Sequence, residues 1–141
     1  MPTLNLRIAP LHNPAHYAAL ASQLSALTAR VLHKRPEVTA VMIEDLPAAR
    51  FCIGGQASKQ AAACLEIDIT QGTNSAQEKQ QFVREAYELL SKLLGDLHEA
   101  SYVIVRELPA GDWGYGGLTQ AQRQAQRQAQ ITLPKQEAML A

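Results

Sequence analysis

The sequence predicts an α+β fold in which two tandem β-α-β units form a four-stranded mixed sheet with both helices on one face. Three observations predict it. The chain repeats itself, short segments alternate polar and apolar residues, and two long segments carry apolar residues at helical spacing.

The internal repeat organises the whole chain. The stretches "IEDLPAARFCIGG" and "VRELPAGDWGYGG" align without gaps, so that Ile43 matches Val105. Upstream, the apolar residues of "LNLRI" match those of "LEIDI", so that Leu4 matches Leu65. The sequence therefore predicts two similar units, residues 2–57 and 62–118, which together form one domain over residues 1–118.

Each unit is predicted to run strand, helix, strand and glycine turn. Period-2 alternation is typical of half-buried strands, apolar stripes with capping residues are typical of helices, and Gly-Gly pairs favour short hairpins. The predicted elements are a strand over 3–8, a helix from Asn13 to near His33, a strand over 38–43, a hairpin at Gly54-Gly55, a strand over 65–69, a helix from Asn74 or Ser75 to Gly95, a strand over 101–105 and a hairpin at Gly116-Gly117.

The order of these elements also predicts self-association. A strand–helix–strand connection implies parallel pairing with a right-handed crossover. Two helices on one face leave the other face of the sheet uncovered, and that face has apolar candidates. We therefore expect a partner subunit to cover it.

Composition excludes several functional classes. Acidic and basic residues balance at 13 each, which argues against a nucleic-acid site or an anionic membrane surface. We find no leader and no long apolar run, so a cytoplasmic protein is expected. Cys52 and Cys64 are predicted to be buried, reduced thiols, and the four scattered histidines predict neither a metal nor a cofactor.

The C-terminal segment, residues 119–141, is rich in glutamine. The tetrad Ala-Gln-Arg-Gln recurs from Ala121 and contains good helix formers but only a thin apolar stripe. We expect a helix followed by a loose end. The helix either lies over a neighbouring subunit or is solvated.

Three stretches, "MPTLNLRI", "RFCIGG" and "DWGYGG", together resemble the tautomerase superfamily. They supply a proline at position 2 that opens a strand and an aromatic-x-x-Gly-Gly hairpin in each unit. The 4-oxalocrotonate tautomerase (4-OT) branch of that superfamily has one such unit per chain. Its macrophage migration inhibitory factor and malonate semialdehyde decarboxylase branches fuse two units and form trimers. The resemblance covers residues 2 to about 118 and implies a fused, homotrimeric member.

The resemblance implies that Pro2 is a general base once Met1 is removed. A neutral secondary amine can take a proton and return it elsewhere, and such transfer contributes roughly 10²–10⁴-fold to a rate. Burial and a nearby cation both lower the pKa of the amine and keep it neutral. The second unit has Ala63 at the matching position, so one site per chain is expected. Alternatively, Pro2 is simply a strand-edge residue that loses no needed donor.

Two further residues are expected to be catalytic by resemblance. Lys34 in "HKRPEVTAV" resembles the lysine of "KPPQYIAV" in the macrophage migration inhibitory factor branch, which implies that it lowers the pKa of Pro2 and holds a carboxylate. Its alternative is a solvated lysine at a helix C-terminus. Tyr102 matches a pocket tyrosine of that branch and could donate to a carbonyl or enolate oxygen. Its alternative is packing in a subunit contact.

Four residues are expected to bind substrate. Phe51 matches a pocket phenylalanine of the 4-OT branch, and Trp113 is its counterpart in the second unit, although either could instead anchor a hairpin. His12 stands where that branch has a substrate-binding arginine. Arg106 is a possible anion anchor, or else a solvated strand residue.

The missing arginines bear on the substrate. Because the paired arginines of the 4-OT, decarboxylase and dehalogenase branches are absent, dicarboxylates and water-adding chemistry lose support. The expected function is a Pro2-dependent keto–enol tautomerase, an isomerase of a 2-oxo acid or enol such as a phenylenolpyruvate-like acid. The alternatives are a decarboxylase or dehalogenase of a small acid, or a non-catalytic trimeric binding protein.

Overall fold

The computed structural model describes residues 1–140, with side chains described as far as residue 131. It divides into two compact units, Met1–Glu107 and a second that begins at Leu108. The single domain predicted over residues 1–118 stays a prediction.

The chain order of the elements follows the repeat. The strands are β1 (Thr3–Ala9), β2 (Ala40–Asp45), β3 (Cys52–Ile53), β4 (Gln56–Ala57), β5 (Ala62–Thr70), β6 (Tyr102–Leu108), β7 (Gly114–Tyr115) and β8 (Leu118–Thr119). The helices are α1 (Ala15–Leu32), α2 (Ala76–Leu94) and α3 (Gln120–Leu140). Strands β2, β1, β5 and β6 form the main sheet in that order, while β3–β4 and β7–β8 are the two predicted glycine hairpins.

The main sheet is mixed, as predicted. β1 runs parallel to β2, with Thr3 opposite Ala40, and antiparallel to β5, with Thr3 opposite Asp68. Ser101 contacts Ala63 near the start of β5, and Arg106 contacts Asp68 near its end. Because both residue numbers increase in the same direction, β6 runs parallel to β5.

The register of β1 and β5 gives the repeat an approximate two-fold axis. Asn5 lies opposite Glu66, which is its own equivalent in the second unit. Equivalent residues on either side of this pair therefore lie at opposite ends of the sheet. Pro2, at the start of β1, and Ala63, near the start of β5, are such equivalents.

The inner face of the sheet carries the core. Alternate residues of β1 and β5 are almost fully buried, as period-2 strands require. They pack against the apolar stripes of α1 and α2, and full burial of each large side chain stabilises the fold by about 1.5–3 kcal/mol. The core residues of these four elements include Leu4, Leu6, Ile8, Leu20, Leu24, Leu27, Val31, Leu65, Ile67, Ile69, Phe82, Ala86 and Leu90.

The outer face of the sheet is more charged than the sequence analysis expects. Met42 and Tyr102 are apolar or aromatic and exposed, but ion pairs formed by Arg7 and Arg106 dominate this surface. Arg7 Nε lies 3.4 Å from Glu44 Oε2, and Arg106 Nε lies 2.8 Å from Asp68 Oδ1. Equivalent positions of the two units carry these pairs with the charges exchanged between the strands.

The ends of the helices follow the sequence signals. Ser75 forms a capping box with Glu78 at the start of α2, and Gly95 ends that helix. Helix α1 ends at Leu32, with His33 in the left-handed region at φ 59°. The backbone of α3 is helical from Gln120 to Leu140, and the loose end after it stays a prediction.

One thiol prediction is wrong. Cys52 is exposed because it lies in the short β3–β4 hairpin, which adds no second layer over it, whereas Cys64 is partly buried on the sheet. No helix among residues 1–140 is long and apolar enough to cross a membrane.

Phe82 offers a direct test of the core. We expect Phe82→Ala to lower the free energy of unfolding by about 3–5 kcal/mol, because it removes a fully buried ring between helix and sheet. The neighbouring Val83 is 39 % exposed, and Val83→Ala should change stability by less than about 1 kcal/mol. Urea unfolding of both variants measures the difference, and equal losses would contradict the packing described.

Candidate functional site

Pro2 lies at the start of β1, where its residue is buried. Its carbonyl oxygen accepts a hydrogen bond from the backbone N–H of Ala40, 3.3 Å away. This bond joins the first residue of the sheet to the beginning of β2. We call this edge, where β1 and β2 begin and β5 ends, the proline end of the sheet.

Lys34 lies at the same end, because α1 finishes there and the chain turns into β2. Its Nζ donates a hydrogen bond to Thr73 Oγ1 at 2.8 Å. The Thr73 hydroxyl donates in turn to the carbonyl of Thr70, the last residue of β5, at 2.6 Å. The ammonium group is therefore held beside the end of the strand that pairs with β1.

The environment of Lys34 favours its neutral form more than water does. Burial lowers the pKa of its ammonium group, and the charges of Glu78 and Glu107 partly oppose this effect. Both carboxylates have other partners: Glu78 Oε2 lies 2.9 Å from His33 Nε2, and Glu107 Oε1 lies 3.1 Å from Lys79 Nζ. Lys34 is thus a half-buried cation without a direct carboxylate bond among the described contacts.

A side chain at the start of α2 holds this corner together. Asn74 Nδ2 donates to the carbonyl of Leu32, the last residue of α1, at 3.0 Å. One orphan carbonyl of the helix terminus is thereby satisfied. Because Lys34 follows Leu32 closely in the chain, the Asn74 bond positions the loop from which Lys34 reaches Thr73.

Arg106 also lies at the proline end, but its guanidinium group is engaged. It donates two hydrogen bonds to Asp68, at 2.8 and 3.3 Å, and lies 3.2 Å from Glu66. Asp68 also accepts from the hydroxyl of Thr3, the residue after Pro2, at 3.3 Å. These bonds raise the pKa of Arg106 and keep it within the sheet face.

Three other predicted site residues lie at the opposite end of the sheet. His12 follows β1 and donates its backbone N–H to Asp45 Oδ2 at 2.9 Å, while its Nδ1 is buried without a described partner. Phe51 immediately precedes β3. Tyr102 begins β6 and is 65 % exposed. Within one chain, none of the three lies beside Pro2.

The opposite end contains a cavity of about 440 Å³. The residue of the second unit that is equivalent to Pro2 is Ala63, which lies within the chain, so its nitrogen is a backbone amide and cannot act as a base. The lining of the cavity includes Pro10, His12, Ala48, Lys59, Leu94 and Asp96.

Trp113 belongs to the second compact unit, directly before β7. Its carbonyl accepts a hydrogen bond from the backbone N–H of Gln120 at 2.9 Å. The indole Nε1 is buried and has no described partner. The residue as a whole is only partly exposed.

Thr73 is the residue of this site that the sequence analysis does not single out as functional. A signal for it exists, because Thr73 is the equivalent of His12 in the second unit. Among the residues with described side chains, no group of three or more His, Cys, Asp or Glu residues could hold a metal ion.

Comparisons with known proteins support the expected fold and family. The family model described as tautomerase enzyme matches residues 64–123. The wild-type symmetric trimer of a fused 4-OT is 23 % identical, with a TM-score of 0.74, and the match covers 86 % of this chain and 98 % of that chain. No curated protein sequence matches the chain significantly.

Two further solved structures share the fold. A member of the cis-3-chloroacrylic acid dehalogenase family is 21 % identical, with a TM-score of 0.71 over 83 % of this chain and 82 % of that one. A macrophage migration inhibitory factor-like protein from Entamoeba histolytica is 15 % identical, with a TM-score of 0.69 over 84 % of this chain and 97 % of that one.

These matches confirm the resemblance seen in the sequence. Residues 64–123 match the tautomerase family itself, and the chain has the fold of a fused, two-unit member of the tautomerase superfamily.

Proposed function

We propose that this protein is a keto–enol tautomerase in which Pro2 is the general base after removal of Met1. The observation that carries the proposal is the place of Pro2. It is the buried first residue at the edge where β1 and β2 begin, with the half-buried Lys34 held at the same end of the sheet. The match of residues 64–123 to the tautomerase family model supports the class of reaction.

The proposed reaction moves one proton and consumes nothing. The neutral nitrogen of Pro2 takes the hydroxyl proton of an enol, and the resulting proline ammonium returns a proton to the neighbouring carbon, which yields the ketone. The nitrogen must be unprotonated at the start. A buried position and a nearby ammonium both disfavour a second positive charge, and both therefore lower the pKa of the amine.

Lys34 is proposed to have two roles. Its charge lowers the pKa of Pro2, and its ammonium group binds the carboxylate of the substrate. Thr73 holds the lysine in place through its hydroxyl, which keeps the cation at the proline end. Because Arg106 is already bonded to Asp68 and Glu66, Lys34 is the better candidate for the anion site.

The remaining predicted residues require other copies of the chain or a different role. His12, Phe51 and Tyr102 lie at the opposite end of the sheet from Pro2, so each could reach a Pro2 site only in another copy. We therefore propose that the chain forms a homotrimer, as the fused 4-OT match does. Trp113 is proposed to contact the apolar part of the substrate in this assembly.

The proposed substrate is a monoanionic enol or 2-oxo acid with an apolar group, of which phenylenolpyruvate is the test compound. A single lysine suits one carboxylate, and the aromatic residues suit an apolar substituent. Dehalogenation of a small acid is the second candidate, favoured by the structural match to the cis-3-chloroacrylic acid dehalogenase family. The absence of arginine from the stretch "AACLEIDIT" favours the tautomerase.

Replacement of Pro2 tests the base directly. We expect Pro2→Ala to lower kcat/KM for ketonisation of phenylenolpyruvate by about 10²–10⁴-fold, the range typical of a lost general base. Intact mass establishes that Met1 is absent from both proteins. Pro14→Ala changes an exposed proline whose nitrogen is a backbone amide and cannot act as a base, so it should leave the rate unchanged. Equal rates for the wild type and Pro2→Ala would contradict the proposal.

The pH profile tests the electrostatic role of Lys34. Removing its positive charge should raise the pKa of Pro2, because the proline ammonium then loses a repulsive neighbour. In Lys34→Gln we therefore expect the acid limb of the kcat/KM profile to move to higher pH, together with a higher KM. Lys79→Gln removes a cation that is already paired with Glu107, so it is the matched control. Identical acid limbs in wild type and Lys34→Gln would exclude this role.

The assembly is tested by light scattering coupled to size-exclusion chromatography. The expected species contains three chains of 15.4 kDa each. A monomer at the concentrations used for the assays would contradict a site completed by His12, Phe51 or Tyr102 from another copy.

A further inference from the structure

The segment around Trp113 is tied to the first turn of α3. The backbone N–H of Gln120 donates to the carbonyl of Trp113 at 2.9 Å, and that of Ala121 donates to the carbonyl of Ala110 at 2.8 Å. Thr119 and Gln122 exchange two side-chain hydrogen bonds with each other's backbone N–H, at 2.8 and 3.0 Å. The start of α3 is therefore held by reciprocal capping hydrogen bonds, and Gln120 is only 3 % exposed.

Arg123 extends this connection to the hairpin itself. Its Nη2 donates to the carbonyl of Tyr115 at 2.8 Å, and its guanidinium carbon lies 3.8 Å from the centroid of the Tyr115 ring. One side chain thus binds both the backbone and the ring of the same hairpin residue. A planar guanidinium can stack and donate in this way, whereas an ammonium cannot reproduce both contacts.

The tip of the hairpin is shaped to receive this arginine. A Cβ atom on Gly116 would lie only 2.6 Å from Arg123 Nη2. The equivalent Gly54 in the first hairpin has nearly the same φ, +63° against +62°, yet a Cβ there would meet nothing within 4 Å. Glycine is therefore favoured at position 116 for two reasons: the backbone is in the left-handed region, and Arg123 approaches where a Cβ atom would lie.

The first hairpin has no such connection. Ala61 and Ile53 occupy the positions of the first unit that are equivalent to Arg123 and Tyr115. The carbonyl of Phe51 accepts a hydrogen bond from the backbone N–H of Ser58, which is the equivalent of the bond between Trp113 and Gln120, so the contacts of Arg123 are what distinguish the second hairpin. The arginine lock, by which we mean the contacts of Arg123 with Tyr115 and Gly116, belongs only to the unit that is followed by α3.

We propose that Arg123 is a positioning residue that fixes the orientation of the Trp113 indole and makes the beginning of α3 part of the substrate-binding apparatus. This inference rests on the proposed function in one respect, namely that Trp113 contacts the substrate. The mechanical part, that Arg123 holds the hairpin that follows Trp113, is argued from the contacts of Arg123 with Tyr115 and of Gln120 with Trp113.

The mechanical part can be measured without substrate, because Trp113 is the single tryptophan of the chain. We expect Arg123→Ala to raise the acrylamide quenching constant of Trp113 fluorescence by about twofold or more, since the released hairpin opens more often. Arg127→Ala removes the same charge one turn further along α3, where the side chain is exposed, and should leave quenching unchanged. Circular dichroism establishes that both variants are folded.

A second pair of variants separates the arginine lock from the strain of a left-handed backbone. Gly116→Ala and Gly54→Ala carry the same penalty for a positive φ. Only Gly116→Ala also displaces Arg123, so it alone should increase the quenching of Trp113.

Kinetics test the link to the substrate. With phenylenolpyruvate we expect Arg123→Ala to raise KM by about fivefold with a smaller change in kcat, because a misplaced wall weakens binding more than it alters proton transfer by Pro2. Arg123→Lys keeps the charge but loses the fork geometry, and should recover only part of the effect.

The outcomes are distinguishable. Equal quenching in Arg123→Ala and Arg127→Ala would overturn the arginine lock. Increased quenching with an unchanged KM would overturn the role of Trp113 in substrate binding and leave the arginine lock intact. Absence of activity in the wild type would overturn the proposed function, while the quenching series would still decide the mechanical part.

Discussion

The antiparallel pairing of β1 with β5 sets the arrangement of the two units. Alternate side chains of both strands are buried beneath the two helices, so a slip of one residue would turn every one of them outward. The buried faces therefore pin the register that places Asn5 opposite Glu66. This register relates the two units by an approximate two-fold axis and sends Pro2 and Ala63 to opposite ends of the sheet.

The two ends of the sheet carry different charged and polar side chains at equivalent positions. The proline end has Lys34 bound to Thr73, while the equivalent positions at the opposite end are Asp96 and His12. A cation in one unit thus corresponds to a carboxylate in the other. A carboxylate would favour, rather than oppose, protonation of a neighbouring amine. The presence of the proline and the lysine at one end alone is consistent with one base per chain.

On the outer face of the sheet, equivalent positions of the two units carry opposite charges, and each charge has a partner of opposite sign on the neighbouring strand. Arg7 pairs with Glu44 across β1 and β2, and Asp68 pairs with Arg106 across β5 and β6, so each pair keeps its opposite signs. The Arg7–Glu44 pair is largely exposed, and such pairs contribute little to stability, whereas the Asp68 side chain is only 14 % exposed. Their main consequence is for the site, because they occupy Arg106 and leave Lys34 as the available cation beside Pro2.

Local sequence patterns predict the strands, helices and hairpins of this protein, whereas the contacts between distant residues depend on how these elements pack. Strand alternation, helical stripes, the Ser75 cap and the Gly-Gly hairpins are local patterns, and each survives in the structure. Contacts between distant segments leave no local period. The separation of His12, Phe51 and Tyr102 from Pro2 follows from strand direction and register. Packing of separate elements brings Lys34 within hydrogen-bond distance of Thr73. It likewise brings Arg123 close to Gly116.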